Sequence, residues 1–334
     1  MWKDSVAHYV LNGIESTLQL EEDLKSGAYK ARPPITFKIT SPKEREIVSI
    51  AFRDRVYQRS LNDNVVYPAM SRSFIRDNCA CQSNKGTDYA RERLKCFMQR
   101  YYRKHGVDGY ALKCDIQGYY PNMNHEIVEE LFRSKLDTDT AERVITILRS
   151  QYPGDTGYNP GSQIVQIAGI ALLDGLDHYI KERLHVKHYL RYMDDFILIH
   201  HNRQFLEECR CQIEQQVRRV KCELHPTKTR IEPLSAGISF LGFTFRLTDT
   251  GKVLMLLDSD NVRRERRKLR RLIHKAYRGR TVKERVDNGL KAWKAHAKHG
   301  NIHGIVSRMD TYYNQIWRNL DEDFSEQTQP KGTS

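Results

Sequence analysis

The sequence predicts an α+β fold, and its patterning indicates this in two ways. Four stretches in the middle of the chain are predicted to be β-strands: apolar residues alternate in Tyr110–Ile116, and His185–Ile199, Ile238–Phe245 and Val253–Leu257 have the look of hairpin strands. Segments between these stretches have apolar residues at helical spacing, and from about Asp260 onward every segment does. Hairpins with helices on one face, followed by an all-helical end, are therefore expected.

The N-terminal part of the chain is predicted to be helical apart from one extended segment. Residues 1–27 have the spacing of an amphipathic helix that ends at Gly27. An Arg-Pro-Pro sequence separates this helix from the extended segment Ile35–Thr40. Residues 44–62 have helical spacing again, with apolar positions at Ile47, Ile50, Ala51, Val56 and Leu61.

The central strands are separated by turns and helices. Tyr110–Ile116 runs into a Gln-Gly turn and then a helix from about Asn124. Residues 164–183 have helical spacing. The next two strands turn at Met193–Asp194, and the last hairpin turns near Thr248–Gly251.

Composition indicates a globular protein with a polyanionic partner. The 334 residues include 55 Lys and Arg against 42 Asp and Glu, a net charge of +13. Lys and Arg release counterions from phosphates, so this excess favours a nucleic acid; a basic charge kept for solubility is the alternative. No apolar run approaches the ~20 residues of a membrane helix, and the N-terminus lacks the apolar core of a signal peptide. A cytoplasmic location with no membrane partner is expected, with the cysteines reduced.

The clearest chemical signal is a pair of adjacent acids, since the chain has no nucleophile elbow, P-loop, dinucleotide fingerprint or His-Glu-x-x-His motif. Asp194 and Asp195 occupy the tip of an apolar hairpin, where their repulsion and desolvation need an offset. Asp115 ends another strand. If the strands are neighbours, the three carboxylates converge as the hard oxygen ligands that Mg²⁺ prefers. Two such ions about 3.5–4 Å apart would support nucleotidyl transfer.

The residues around these acids resemble those of reverse transcriptases. The stretch "YMDDF" (192–196) resembles the metal-binding hairpin of that family, and "DIQGYY" (115–120) resembles its other palm motif, an aspartate followed five residues later by an aromatic. Further similar stretches, in the family's order, are "RDRVYQRSL" (53–61), "CACQSNKGTDYA" (79–90), "LHPTKTRI" (224–231) and "FLGFTF" (240–245). The resemblance covers roughly residues 20–318 and implies an RNA-directed DNA polymerase.

The resemblance also implies a right-hand polymerase fold with fingers, palm and thumb. Residues 1–108 would form an N-terminal helix and the fingers, with a further part of the fingers near 150–165. Residues 109–257 would form the palm, an antiparallel sheet with helices on one face. Residues 258–320 would form a helical thumb, and residues 321–334, which are poor in apolar side chains, a disordered tail.

By the same resemblance, Asp115, Asp194 and Asp195 are the catalytic carboxylates. Asp115 and Asp194 would be the principal ligands of two Mg²⁺ ions, together with the backbone carbonyl of Ile116. Asp195 would lie near the metals and be less essential. Mn²⁺ can substitute in such sites. The substrates would be dNTPs, an RNA template and a DNA or RNA primer.

The residues implied to bind the incoming dNTP are Lys43, Arg45, Tyr119, Tyr120, Pro160, Gly161, Gln166 and Lys228. Tyr120, which follows Tyr119, matches the position where an aromatic ring excludes a ribose 2′-OH by overlap; a core tyrosine is the alternative. Arg45 resembles a fingers residue that holds the triphosphate, and Lys43 is the second candidate, although a solvated charge run fits this stretch as well. Lys228 would lie near the triphosphate or simply be exposed.

The segment before the catalytic hairpin departs from the family pattern. It reads "GYNPGSQIVQIAGI" (157–170), and aligning Gly161 puts Val165 where the family has serine and Gln166 at its Pro-or-Gln position. Pro160 stands where retroviral members have a glutamine that packs against the nascent base pair. Proline has no side-chain donor for that contact, so we expect a relaxed grip and an elevated error rate. A proline that only shapes the turn is the alternative.

Contacts to primer and template are predicted at the hairpins and in a basic helix. Residues 263–280 hold ten Lys and Arg and one Glu around an apolar stripe. The stripe would pack while the basic face follows the phosphates of a hybrid duplex; a solvated basic face is the alternative. The candidate residues are Tyr192, Met193, Leu241, Gly242, Arg263, Arg267, Arg270, Arg271 and Lys275.

Several biological settings fit the sequence. Gln166, the "LKSGAY" stretch (24–29) and the short helical end resemble diversity-generating retroelement or related solitary bacterial reverse transcriptases, and the Asn-Ala-x-x-His motif of retrons is missing. The expected partners are a cognate structured RNA and a small basic accessory protein, in a bacterial or phage-encoded system. Antiphage-defence reverse transcriptases share this core. An RNA-binding scaffold with secondary catalysis and a template-independent polymerase are further alternatives.

Overall fold

The computed structural model describes residues 4–40, 44–301 and 303–328. The chain divides into two compact units. The first comprises residues 1–94 and 110–232, and the second comprises residues 95–109 and 233–334. Most of the segment predicted as fingers and most of the predicted palm therefore share one unit, whereas residues 95–108 and the last predicted palm hairpin group with the helical end.

The N-terminal segment forms two helices where one was predicted. Helix α1 spans Asp4–Leu11 and helix α2 spans Gly13–Lys25. Asn12 interrupts them because its backbone leaves the helical region (φ −108°, ψ 35°) and it takes the N-cap position of α2, which asparagine favours. The helix ends at Lys25, and Gly27 follows with a φ of +74°, as is common after a helix C-terminus.

The prediction of a helix over residues 44–62 is wrong for its first part. Strands β1 (Ile35–Ile39) and β2 (Arg45–Ser49) form an antiparallel two-stranded sheet. Two adjacent β-branched residues in β2 favour the strand, and pairing with β1 satisfies its backbone. Helix α3 begins only at Phe52 and spans Phe52–Leu61. The predicted extended segment at β1 is confirmed.

The remaining helices of the first unit surround one apolar core, and α5 continues into the second unit. They are α4 (Tyr67–Ser71), α5 (Thr87–His105), α6 (Tyr119–Asn122), α7 (His125–Lys135), α8 (Thr138–Gln151), α9 (Gln163–Leu172), α10 (Asp174–His178) and α11 (Arg203–Arg219). Helix α7 begins where a helix was predicted, from about Asn124, and the Asn124 side chain accepts from the N–H of Ile127 and caps it. The helix predicted over 164–183 is broken at Leu173 and ends in a π-helical turn, Tyr179–Arg183.

A four-stranded sheet organises the first unit. Its strands are β3 (Tyr110–Asp115), β4 (His188–Tyr192), β5 (Asp195–His200) and β6 (Arg230–Pro233), in the spatial order β4-β5-β3-β6. Strand β5 is antiparallel to both β4 and β3, and its four apolar residues are buried. The predicted strands and the hairpin turn between β4 and β5 are confirmed.

The second unit combines a three-stranded sheet with helices. Strands β7 (Ile238–Phe240), β8 (Phe243–Leu247) and β9 (Val253–Leu257) pair antiparallel in this order. The helices that follow are α12 (Ser259–Tyr277), α13 (Lys283–Ala297) and α14 (His303–Thr328). Part of the tail predicted to be disordered is thus helical, as far as Thr328, and residues 329–334 lie outside the described residues. No helix within the described ranges is both long and apolar enough to cross a membrane.

Candidate active site

The sheet of the first unit brings Asp115 and Asp195 together. Strands β3 and β5 are antiparallel with Asp115 directly opposite Asp195, so both side chains lie on one face of the sheet. Asp194 precedes β5 in the hairpin turn. The N–H of Ile116 donates to the carbonyl oxygen of Asp194 at 3.3 Å, which joins the end of β3 to this turn. The three aspartates predicted to converge are therefore neighbours.

Burial and mutual repulsion disfavour the charged forms of the two hairpin aspartates. Burial is the largest cause that raises the pKa of Asp194, and the charge of Asp115 raises it further. Burial also raises the pKa of Asp195 from 3.8 to about 6; Lys113 lowers it, and Asp115 and Asp194 raise it. Neighbouring carboxylates with raised pKa values are typical of a functional site, and a bound cation would stabilise their charged forms.

Two lysines partly neutralise this cluster. Lys228 Nζ lies 2.8 Å from Asp115 Oδ1, and Lys113 Nζ lies 3.3 Å from Asp195 Oδ2. The segment that carries Lys228 is held close by the N–H of His225, which donates to the Asp115 carbonyl at 2.7 Å. Lys228 thus contacts a predicted catalytic residue while its side chain stays 49% exposed. Lys113 was not identified from the sequence.

The donor set fits a Mg²⁺ site that its substrates would complete. Within the described residues, no group of three or more His, Cys, Asp or Glu side chains is placed to hold a metal ion by itself. Mg²⁺ commonly binds through one or two carboxylates and takes its other ligands from water and substrate phosphates. Asp195 Oδ1 is buried and has no hydrogen-bond partner among the described residues. A buried oxygen of this kind calls for a bound cation or a hydrogen-bond donor. Asp115, Asp194 and the Ile116 carbonyl are the groups that could hold the ion.

The tyrosines after Asp115 take different positions. Tyr119 is 3% exposed, and its hydroxyl donates to the carbonyl oxygen of Gly169. Its side chain therefore lies in the core, which corrects its prediction as a dNTP-binding side chain. Tyr120 is partly buried, and its hydroxyl has no hydrogen-bond partner within the described ranges. A Cβ atom on Gly169 would lie 3.1 Å from that hydroxyl, so the glycine in α9 permits this position of the ring.

The loop before α9 is shaped by local contacts. A Cβ atom on Gly161 would lie 3.1 Å from the carbonyl oxygen of Val48 in β2, so glycine suits this close approach. Pro160 is exposed, and its carbonyl oxygen accepts from Gln166 Nε2 at 2.7 Å. Gln166, predicted to bind the dNTP, is therefore engaged in holding the loop.

The candidate triphosphate ligands of the fingers are described only in part. Arg45 begins β2, and the structure describes its backbone position alone. Lys43 lies outside the described residues. Both assignments stay predictions.

The predicted nucleic-acid contacts lie at turns and on an exposed helix face. Tyr192 ends β4, Met193 occupies the turn between β4 and β5, and Leu241 and Gly242 form the turn between β7 and β8 with φ angles of +48° and +84°. In α12, buried apolar side chains confirm the predicted stripe. The predicted basic residues of that helix are all exposed: Arg263, Arg267, Arg270, Arg271 and Lys275.

A buried ion pair behind the turn was missed from the sequence. Arg191 and Asp177 are both fully buried, with Nη2 and Oδ2 2.6 Å apart. The available signal was an arginine within an otherwise apolar strand, since a buried arginine requires a partner. The pattern did not indicate which acid would be that partner.

Replacing Asp195 by asparagine is expected to stabilise the metal-free protein above about pH 6. The raised pKa, about 6 against an ordinary 3.8, means that the folded state binds this proton more tightly than the unfolded state. The free energy of unfolding therefore falls as the pH rises between these values, by roughly 2–3 kcal/mol for this group. Asparagine carries no charge, so the Asp195→Asn variant does not lose this part of the free energy of unfolding as the pH rises.

Thermal melts in EDTA would measure this effect. At pH 8 we expect Asp195→Asn to melt several degrees above the wild type, and at pH 4.5 the two should melt much closer together. Asp139→Asn, at an exposed acid in the first turn of α8, is the control and should lower both melts by a similar small amount, since it removes only a favourable charge at the helix N-terminus. An equal gain at both pH values would show that the charge of Asp195 is not the cause.

Comparison with known proteins identifies a family and a fold. The family model described as reverse transcriptase (RNA-dependent DNA polymerase) matches residues 39–245. The structure is similar to that of telomerase from Candida tropicalis in complex with a TWJ fragment of telomeric RNA, with a TM-score of 0.51, 12% identity, and coverage of 94% of this chain and 58% of that one. Telomerase from Candida albicans in complex with a TWJ fragment of telomeric RNA is also similar, with a TM-score of 0.50, 10% identity, and coverage of 94% of this chain and 65% of that one. The chain thus spans less than two thirds of either telomerase, and likeness at this identity concerns the fold. No curated protein matches the sequence.

Proposed function

The chain belongs to the reverse transcriptase family of RNA-directed DNA polymerases, and from this we propose that it copies an RNA template into DNA by two-metal nucleotidyl transfer at Asp115 and Asp194. The α+β structure of the first unit agrees with the right-hand polymerase fold of the family. The observation that carries the proposal is the carboxylate cluster, in which Asp115 pairs with Asp195 beside the turn that holds Asp194. All three acids lie within the matched segment, 39–245.

The surroundings of the cluster support distinct roles for its members. Asp115 and Asp194 would hold two Mg²⁺ ions, with the Ile116 carbonyl as a further ligand, and Mn²⁺ can replace Mg²⁺. When bound, the ions would activate the primer 3′-OH and offset charge on the leaving pyrophosphate. The contact between Lys113 and Asp195 favours a supporting role for Asp195. Lys228 would turn from Asp115 to the triphosphate, since its side chain is half exposed.

The proposed substrates fit the remaining features. Tyr120 would lie under the sugar of the dNTP, with Arg45 and Lys43 at its phosphates. The turn formed by Leu241 and Gly242, and the exposed basic face of α12, would bind primer and template. A basic face favours phosphate contacts that are independent of base sequence. The telomerases of similar fold are complexed with an RNA fragment, and an RNA partner accords with the net charge of +13.

We further propose that synthesis is error-prone and serves a diversity-generating retroelement, with a cognate structured RNA and a small basic accessory protein as partners. Exposed Pro160 supports this, because it offers no side-chain hydrogen bond to the nascent base pair. The side-chain amide of Gln166 donates to the Pro160 carbonyl, so this donor is not available for a hydrogen bond to the substrate. An antiphage-defence enzyme acting on its own non-coding RNA would share the catalytic proposal but not this fidelity argument.

Pro160→Gln is expected to lower the misincorporation rate several-fold, because glutamine supplies a donor at the nascent base pair. The measurement is sequencing of DNA made on a defined RNA template by the wild type and the variant. Pro153→Gln, at another exposed proline before α9, is the control and should leave the error spectrum unchanged. A wild type as accurate as a retroviral enzyme, with no response to Pro160→Gln, would contradict the fidelity proposal.

Primer extension tests the catalytic proposal itself. Purified protein, poly(rA)·oligo(dT), dTTP and Mg²⁺ should give extended primer, and EDTA should prevent it. If no extension occurs, the reaction should be repeated with RNA co-purified from the host. A protein that binds this RNA tightly but never extends a primer would be a scaffold rather than a polymerase.

A further inference from the structure

A buried ion pair lies directly behind the catalytic turn. Arg191, in β4, and Asp177, in α10, are both 0% exposed. The guanidinium meets the carboxylate in a two-pronged contact, with Nε–Oδ1 at 2.7 Å and Nη2–Oδ2 at 2.6 Å. The Tyr189 hydroxyl also donates to Asp177, and Asn78 Nδ2 lies 3.5 Å from its second oxygen. The carboxylate is thus held by three side chains.

The other side of the guanidinium reaches the turn. Arg191 Nη1 donates to the Met193 carbonyl oxygen at 2.9 Å, and Nη2 donates to the Ile170 carbonyl oxygen at 3.0 Å. The Met193 carbonyl shares one planar peptide with the N–H of Asp194. Arg191 therefore holds the peptide that leads directly into Asp194, and with it the Cα atom from which the Asp194 carboxylate projects.

The turn requires such support because its backbone is strained. Met193 has a φ of +57°, in the left-handed region that non-glycine residues seldom occupy. Strained residues of this kind persist where the surrounding structure holds them. The contact from Arg191 is made on the carbonyl of this residue.

Stability alone does not account for a buried pair at this place. Desolvation of two charges offsets much of their attraction, and apolar replacements of similar volume are often as stable or more so. We propose that the Arg191–Asp177 pair is a positioning element that fixes the Met193–Asp194 peptide, and with it the Asp194 carboxylate, for binding a divalent metal. The inference rests on the proposed role of Asp194 as a metal ligand.

The test compares three changes. The double variant Arg191→Met/Asp177→Leu replaces both charges with apolar groups of similar size. Arg191→Lys retains a positive charge for Asp177 but lacks the planar fork that also reaches Met193. The control is Arg149→Met/Glu129→Leu, which removes a partly buried ion pair between α8 and α7 in the same unit.

The readouts are thermal melting, Mn²⁺ affinity by calorimetry without substrates, primer–template affinity, and kcat with its Mg²⁺ dependence. Asp194→Asn first identifies the Mn²⁺ heat that belongs to the site. We expect the double variant to fold and bind primer–template as the wild type does, but to bind Mn²⁺ roughly 10- to 100-fold more weakly, with kcat lowered similarly. The Mn²⁺ affinity and kcat of Arg191→Lys should lie between those of the double variant and the wild type, and the control should match the wild type in both.

Wild-type Mn²⁺ affinity and kcat in a folded double variant would overturn the inference. If that variant does not fold, wild-type values in Arg191→Lys would overturn it equally. A wild type that binds Mn²⁺ through Asp194 yet makes no DNA would contradict the proposed function, while the positioning role would still be decided by the titrations. Absence of Asp194-dependent Mn²⁺ binding in the wild type would overturn both.

Discussion

Asp194→Asn is expected to lower kcat for RNA-templated extension by at least about 1,000-fold while leaving primer–template affinity within about twofold of the wild type. An amide keeps the shape of the side chain but removes the negative charge that would hold the metal. The turn should survive, since its supporting contact joins the Arg191 side chain to the Met193 carbonyl and does not involve the Asp194 side chain. The measurement is single-turnover extension beside fluorescence anisotropy of a labelled duplex.

Two comparisons sharpen this result. Asp115→Asn should be as severe, because Asp115 is the other proposed principal ligand, whereas Asp195→Asn should cost less, since Asp195 is engaged by Lys113. Asp139→Asn, the exposed acid on α8, should retain wild-type activity. Equal activity of Asp194→Asn and wild type would remove this cluster from the chemistry.

Tyr120→Val is expected to raise incorporation of ribonucleotides relative to deoxyribonucleotides by roughly 100-fold, with a smaller change in kcat/KM for dNTPs. The aromatic ring packs against Gly169 of α9 and has little room to move away from a 2′-OH. A smaller side chain would leave space for the hydroxyl. The measurement is kcat/KM for a dNTP and the matching rNTP on one template.

Tyr120→Phe is the matched control for this experiment. It keeps the ring and removes only the hydroxyl, which has no hydrogen-bond partner within the described ranges. Sugar selectivity should therefore stay at the wild-type level, and stability should be equal or slightly higher. If Tyr120→Val selects against ribonucleotides as strongly as Tyr120→Phe does, Tyr120 is a core tyrosine and not the sugar gate.

The carboxylate cluster was predictable because its residues lie in local patterns. Alternating apolar residues mark β3, apolar stretches on both sides of a turn mark β4 and β5, and antiparallel pairing places the end of one strand beside the start of another. The adjacent acids at the hairpin tip then converge with the acid that ends β3. Strand β2 was mistaken for helix because five residues carry little periodicity, and its state depends on pairing with β1.

The supporting contacts could not be predicted from such patterns. Lys228 meets Asp115 across 113 residues of sequence, and Arg191 meets Asp177 from a different element. Which polar groups meet in a folded chain depends on packing between elements, and spacing along one element does not specify it. The same holds for Gln166, whose type suggested a substrate contact but whose amide donates to the Pro160 carbonyl.

The most direct test of the central claim is the sequence of the DNA that the protein makes on a heteropolymeric RNA template with all four dNTPs and Mg²⁺. The account predicts a product complementary to the template along its length, absent when the RNA is omitted and absent with Asp194→Asn. A template-independent tail, or DNA made equally well by Asp194→Asn, would contradict RNA-templated synthesis at this carboxylate cluster.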